Sequence, residues 1–180
     1  KIFLTMLLLL IFIVSCGSKN AEGTKKSGDI IKIAVNLQSE PKSLDPQLAS
    51  DASGITIDSL IYEGLTRLDQ EGKVVPAAAE SWEISEDGLK WVFHLRKDMK
   101  WANGDPVTAK DFVYAWRRLL DPKTAAEYAF IAFPIKNAEA VNKGEKPVTE
   151  LGVKAVDDLT LEVELEQAVP YFLNLVAFPS

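Results

Sequence analysis

Trp82-Glu83-Ile84-Ser85-Glu86-Asp87-Gly88-Leu89-Lys90-Trp91-Val92-Phe93-His94-Leu95-Arg96 is the stretch on which the fold turns. Trp91, Phe93 and Leu95 fall on one side of a period-2 run, His94 falls on the other, and Asp87-Gly88 separates this run from Trp82-Glu83-Ile84. Alternation at period 2 marks a strand with one buried face, and Asp-Gly between two such runs is a hairpin signal, because glycine reaches positive φ without steric cost. The stretch predicts a β-hairpin with Trp91 in a core and His94 on the outer face.

Working outward, a second hairpin is expected downstream. Val153 to Val156 and Thr160 to Glu166 flank a turn at Asp157-Asp158, with Leu161, Val163 and Leu165 sharing a face and Glu162, Glu164 and Glu166 on the solvated one. Between the hairpins, Trp101 precedes a turn at Asn103-Gly104-Asp105-Pro106. Thr108 then opens a helix with Asp111 three residues on, a capping-box spacing. Phe112, Trp116, Leu119 and Leu120 form its apolar stripe, and Asp121-Pro122 stops it. Short helices are predicted at Ala125 to Ile131, at Asn137 to Asn142 before Gly144, and at Tyr171 to Phe178.

Upstream, Val74 to Ala79 contains Pro76 and reads as an ordered connection. Ile57, Leu60, Ile61 and Leu65 suggest a helix capped by Ser53 or Thr56, preceded by a polar loop from Asp45-Pro46 to Gly54. Ile31, Ile33, Val35 and Leu37 alternate with polar or small residues as a first strand does. Strands arranged in hairpins, without β-α-β units, define an α+β class with antiparallel pairing.

The 180 residues correspond to about one to one and a half domains, and 47% apolar with 26% charged residues is ordinary globular composition. A net charge of −6, with no basic block longer than Lys25-Lys26, excludes nucleic acid, whose binding depends on neutralising phosphates. The single cysteine, Cys16, excludes an intrachain disulfide framework, and the single histidine, His94, excludes sites that need two imidazoles. No metal and no cofactor is expected. Gly-x-Ser-x-Gly, P-loop and Gly-x-Gly-x-x-Gly motifs are absent, and the chain is not expected to be an enzyme. Turn and capping roles account for Asn103, Asp105 and Asp111 without invoking calcium.

The N-terminus carries an address. Lys1 is followed by Ile2 to Val14, apolar except for Thr5, and then by Ser15-Cys16-Gly17, the layout of a secretory signal over residues 1–15. As a helix this core spans only about 20 Å, short of the roughly 30 Å of bilayer hydrocarbon. Ile13-Val14-Ser15-Cys16 resembles the bacterial lipobox, in which the cysteine is lipid-modified and becomes the new N-terminus. Residues 16–29 are Gly, Ser and Lys rich and read as a flexible tether, so a folded body starting near Ile30 is expected outside the cytoplasm on a lipid anchor.

The body resembles the bacterial oligopeptide-binding proteins of peptide ABC importers, extracellular solute-binding protein family 5. The resemblance is carried in collinear order by Ser39-Glu40-Pro41, Ser43-Leu44-Asp45-Pro46, Tyr62-Glu63-Gly64-Leu65, Ala79-Glu80-Ser81-Trp82 and Trp91 to Arg96. It continues through Trp101, Gly104 to Ala109, Asp111 to Tyr114, Lys146-Pro147, Leu151 to Ala155 and Val169-Pro170-Tyr171-Phe172. It implies type II periplasmic-binding-protein lobes that close on an extended peptide held chiefly by its backbone, delivered to the permease subunits by a monomeric receptor.

The family's ligand loop maps onto Ser50, Asp51 and Ala52, and a family tyrosine maps onto Tyr128. Some relatives carry an acid at the position of Ser50, a role open to Asp51 next door. Relatives in the broad family bind dipeptides, nickel chelates, haem or sugars, and a peptide sensor or adhesin would present the same lobes. Family chains are much longer, so this chain is read as an N-terminal fragment: residues 30–61 begin a first lobe, residues 62–180 make most of a small, hairpin-rich second lobe, and the opposing lobe is absent.

Overall fold

In the computed structural model of the chain the described residues are 33–178. Cys16, the signal-like stretch and the tether lie outside them. Residues from 37 onward form one compact unit; of residues 1–36, which cluster separately, only 33–36 are described, and they form no regular element. The strand expected over 31–37 is therefore not seen where it is described. Alternation specifies which face a strand would bury, but a ladder also needs a partner, and no strand among the described residues pairs with this segment.

The ordered elements are α1 (Ala52–Ile61), β1 (Thr66–Leu68), β2 (Val74–Pro76), β3 (Ala79–Ile84), β4 (Lys90–Leu95), α2 (Ala109–Leu120), α3 (Ala138–Asn142), β5 (Val153–Ala155), β6 (Thr160–Glu164) and α4 (Phe172–Leu175). Short 3-10 turns at Ala129–Ala132 and Val148–Glu150 flank α3. Strands β3, β4, β6 and β5 make one antiparallel sheet in that order, so the two expected hairpins are joined edge to edge through β4 and β6. The α+β antiparallel class is what the structure shows.

The hairpin at the centre forms as its residues dictate. Gly88 takes φ +71° in the turn, and Ser85 closes it by donating its backbone N–H to the Lys90 carbonyl at 2.9 Å. Register then places Trp91 opposite Val163 and Phe93 opposite Leu161, so the apolar faces of β4 and β6 coincide. All four side chains are buried. Trp91 stacks on Phe93 at 6.1 Å between centroids, and Phe172 of α4 reaches both rings, at 5.2 and 6.4 Å. Each such buried side chain contributes about 1.5–3 kcal/mol relative to exposure.

Helix α2 roofs the sheet. Its start is fixed by the Asp111 carboxylate, which accepts from the Thr108 backbone N–H at 2.7 Å. Val113, Trp116, Leu119 and Leu120 are the buried stripe; Phe112, expected there, is only half-buried, and Val113 takes the inward position. On the outer face of the sheet Lys90 pairs with Glu162, Lys136 with Glu164, and His94 with Glu83 at 2.9 Å, as solvated charge on a half-buried sheet should.

Three local expectations are revised. Residues 66–76 hold a small hairpin, β1–β2, whose turn is tied by the Asp69 carboxylate accepting from Glu71 and Lys73 N–H. Pro76 is tolerated because it ends its strand. The 125–131 helix shrinks to the 3-10 turn 129–132, after a positive φ of 52° at Ala125. In α1 the buried residues are Ser53, Gly54 and Asp58, whereas Leu60 and Ile61 are about three-fifths exposed, at 62% and 61%.

Candidate functional site

The loop before α1 is built from the sheet's roof outward. Arg118 of α2 grips the Asp45 carboxylate with both terminal nitrogens, at 2.9 and 2.5 Å, and donates to the Gln47 side chain at 2.6 Å. Gln47 in turn donates to the Ala115 carbonyl at 2.6 Å. A planar guanidinium matched to a carboxylate fixes direction as well as distance, so residues 45–49 are clamped to α2. Hydrogen bonding from Arg118 holds the Asp45 carboxyl below its ordinary range against the opposing effect of burial.

That clamp delivers Ser50, Asp51 and Ala52 to the N-terminus of α1. Asp51, not Ser53 or Thr56, is the cap: one oxygen accepts from the Ser53 and Gly54 N–H at 3.1 and 3.0 Å, and the other accepts from Lys42 N–H at 3.0 Å. These bonds, led by that from Lys42, depress its pKa. Both carboxylate oxygens are thus engaged with the chain's own backbone. Ala52 is exposed, and its backbone N–H meets no acceptor among the described residues. The loop consequently offers main-chain groups at its surface more readily than charge.

Tyr128 sits elsewhere, immediately before the 129–132 turn, half-buried, with its ring 5.6 Å from that of Phe130 and 6.4 Å from that of Phe178. No hydrogen bond joins it to residues 50–52. Two surface grooves, of about 630 and 650 Å³, flank residues 61–63. Tyr62, Met99, Trp101 and Phe112 line the first, with Arg96 paired to Glu63 at its rim. Leu60, Ile61, Tyr62 and Phe178 line the second. Neither groove is lined by Ser50, Asp51, Ala52 or Tyr128, although Tyr128 adjoins the second through Phe178. The grooves escape sequence reading because they join segments far apart in the chain, 61–63 with 96–102 and 111–115 in the first and 59–64 with 174–178 in the second, with no periodic signal to announce them. No helix among the described residues is long and apolar enough to cross a membrane, and no cluster of three metal-ligating side chains occurs among them.

A buried carboxylate lies beneath the loop-bearing end of α1. Asp58 is 2% exposed, and its Oδ1 has no hydrogen-bond partner. Burial, then the nearby Asp45 and Asp51 charges, push its pKa up. A raised folded-state pKa means that the stability contributed by the protonated acid is full below the unfolded pKa and is lost as pH rises through the folded one. Asp58→Asn should therefore be more stable than wild type at neutral pH. The gain should shrink as the pH is lowered into the Asp58 titration range, in urea denaturation across a pH series. A pH-independent difference would contradict this.

The described residues thus comprise an antiparallel four-stranded sheet roofed by one long helix, with loop backbone and aromatic rings exposed around it. The chain belongs to the bacterial extracellular solute-binding proteins, family 5, whose middle-region model matches residues 73–180. It is 41% identical over 177 residues to the oligopeptide-binding protein OppA of Bacillus subtilis, a match covering 96% of this chain and 32% of that protein. It is 48% identical to the probable deoxycholate-binding periplasmic protein YgiS of Escherichia coli, over 81% of this chain and 28% of that one. The crystal structure of the substrate-binding domain of an oligopeptide ABC transporter from Bacillus anthracis superposes with a TM-score of 0.74 at 76% identity, covering 76% of this chain and 26% of that one. The chain thus spans about a third of the length of the relatives it matches.

Proposed function

We propose that this chain forms part of an extracytoplasmic receptor that captures oligopeptides and passes them to an ABC importer. Residues 30–61 would open its first lobe, and residues 62–180 most of a small second lobe. The observation that carries the reading is the match of nearly all of this chain to about a third of an oligopeptide-binding protein, together with the family match across the sheet and its roof. The site supports it physically. With the Asp51 carboxylate spent on capping and the Ala52 N–H open, the loop suits recognition of a ligand's main chain, which tolerates many peptide sequences. A lipid anchor at Cys16, outside the described residues, is supported by the Ile13-Val14-Ser15-Cys16 pattern and would hold the receptor at the membrane surface.

The similarity to a probable deoxycholate-binding protein favours a second reading, an amphipathic carboxylate as ligand. Titration calorimetry of the full-length protein with tri- to pentapeptides and with deoxycholate separates the two. Heat with peptides alone is the expected result; heat with deoxycholate alone would overturn the peptide reading. The Tyr128 hydroxyl makes no hydrogen bond among the described residues, and its loss in Tyr128→Ala should weaken peptide binding by about 1–3 kcal/mol, roughly 5- to 150-fold. Unchanged affinity in that variant would remove Tyr128 from the site.

A further inference from the structure

Of the six asparagines in the chain, Asn103 alone is followed by glycine. An asparagine side-chain carbonyl and the next backbone nitrogen can close a five-membered ring, and glycine has no Cβ to hinder their approach. Gly104 stands at φ +93°, with no heavy atom within 4 Å of where a Cβ would point. Three hydrogen bonds hold the pair. Asp105 donates its backbone N–H to Asn103 Oδ1 at 3.0 Å, which polarises the carbonyl that would be attacked. Asn103 Nδ2 donates to the Asp105 carboxylate at 2.7 Å, and Gly104 N–H donates to the Trp101 carbonyl at 2.8 Å. These last two restrain the reaction: one engages the leaving amide and the other occupies the attacking nitrogen.

We propose that Asn103 is a deamidation site whose rate is set by the opening of its own turn. In the open turn the Gly104 nitrogen gives up its proton and bonds to Asn103 Cγ. The Cγ–Nδ2 bond breaks, and the side-chain nitrogen leaves with that proton as ammonia, closing a succinimide. Water then splits one of the two ring C–N bonds, its hydroxyl going to the carbonyl carbon and its hydrogen to the nitrogen, and leaves aspartate or isoaspartate at 103. Water is the sole co-reactant; every other reacting atom belongs to residues 103 and 104. Both products strain the turn. Aspartate sets an anion where Nδ2 met the Asp105 carboxylate, so attraction becomes repulsion. Isoaspartate adds a carbon to the main chain, inside a loop closed by Trp101 N–H on the Asp105 carbonyl at 2.8 Å and Val107 N–H on the Met99 carbonyl at 3.1 Å. Met99 and Trp101 line the first groove, so the modification loosens one of its walls.

The full-length protein, incubated at mildly alkaline pH and then digested, is assayed by mass spectrometry for aspartate and isoaspartate at 103. Folded wild type should convert at Asn103 ahead of its other asparagines, and the urea-unfolded chain should convert faster still. Asp105→Ala, which removes one restraining bond and keeps the backbone N–H, should speed conversion in the folded protein by roughly 2- to 10-fold. Asp105→Asn, which retains an acceptor, should return the rate toward wild type. In Asn103→Asp, amide exchange at Trp101 and Gly104 should be faster than in wild type. The proposal is overturned if Asn103 stays intact in the folded protein, if unfolding does not accelerate its loss, or if Asp105→Ala leaves the rate unchanged or lower. Wild-type exchange at both amides in Asn103→Asp would overturn the claim that the product strains the turn.

Discussion

Phe93→Ala should destabilise the protein by about 3–5 kcal/mol, a large share of the roughly 5–15 kcal/mol available to a typical domain. Phe93 is fully buried at the middle of β4, in contact with Trp91, Trp82 and Phe172, and directly opposite Leu161 of the neighbouring hairpin. Truncation removes the ring's transfer free energy and leaves a cavity that the paired backbones on both sides cannot collapse into. The measurement is the urea midpoint, read beside Val92→Ala on the outward face of the same strand, where a far smaller shift is expected. Equal shifts for the two variants would mean that the sheet face has been assigned the wrong way round.

Gly152→Ala is expected to cost about 1–3 kcal/mol, although it adds only one methyl group. A Cβ there would stand 2.7 Å from the Lys136 Cβ and 2.8 Å from the Glu164 carbonyl oxygen. Neither is the far end of a flexible side chain. Gly152 also donates its N–H to the Lys136 carbonyl at 2.9 Å and accepts from Glu164 N–H at 2.8 Å, so the backbone cannot retreat without breaking the bonds that join β5, β6 and the segment before α3. Amide exchange should therefore speed up at Gly152 and Glu164 in the variant, along with a lower midpoint. An alanine variant with wild-type exchange at both sites would refute the close-packing argument.

The Asp45–Arg118 clamp shows why part of the site could not be read in advance. Its partners are 73 residues apart, and each by itself has an ordinary local explanation, an Asp-Pro turn and a basic residue in the last turn of a helix. Only their meeting across the fold turns the pair into the device that sets the height of Ser50, Asp51 and Ala52 above α2. That Asp51 is the cap of α1 was not legible, because Ser53 and Thr56 are equally acceptable caps by type, and the actual choice depends on where the Lys42 backbone lies.

The two central hairpins, the Thr108 start of α2 and the outward placement of His94 and of Glu162 and Glu164 follow from the sequence alone. Their determinants lie within a few residues of one another: period-2 alternation, Asp-Gly turn chemistry and a capping spacing of three. The collinear motifs place the chain in its family for the same reason, since each is a short local pattern. The tertiary structure alone decided that β4 joins β6, that the exposed side of α1 is Leu60 and Ile61, that Asp58 Oδ1 is buried with no hydrogen-bond partner among the described residues, and that the Tyr128 ring lies near those of Phe130 and Phe178. Each of these depends on which distant surface arrives opposite a given face, and periodicity identifies a face without naming what will cover it.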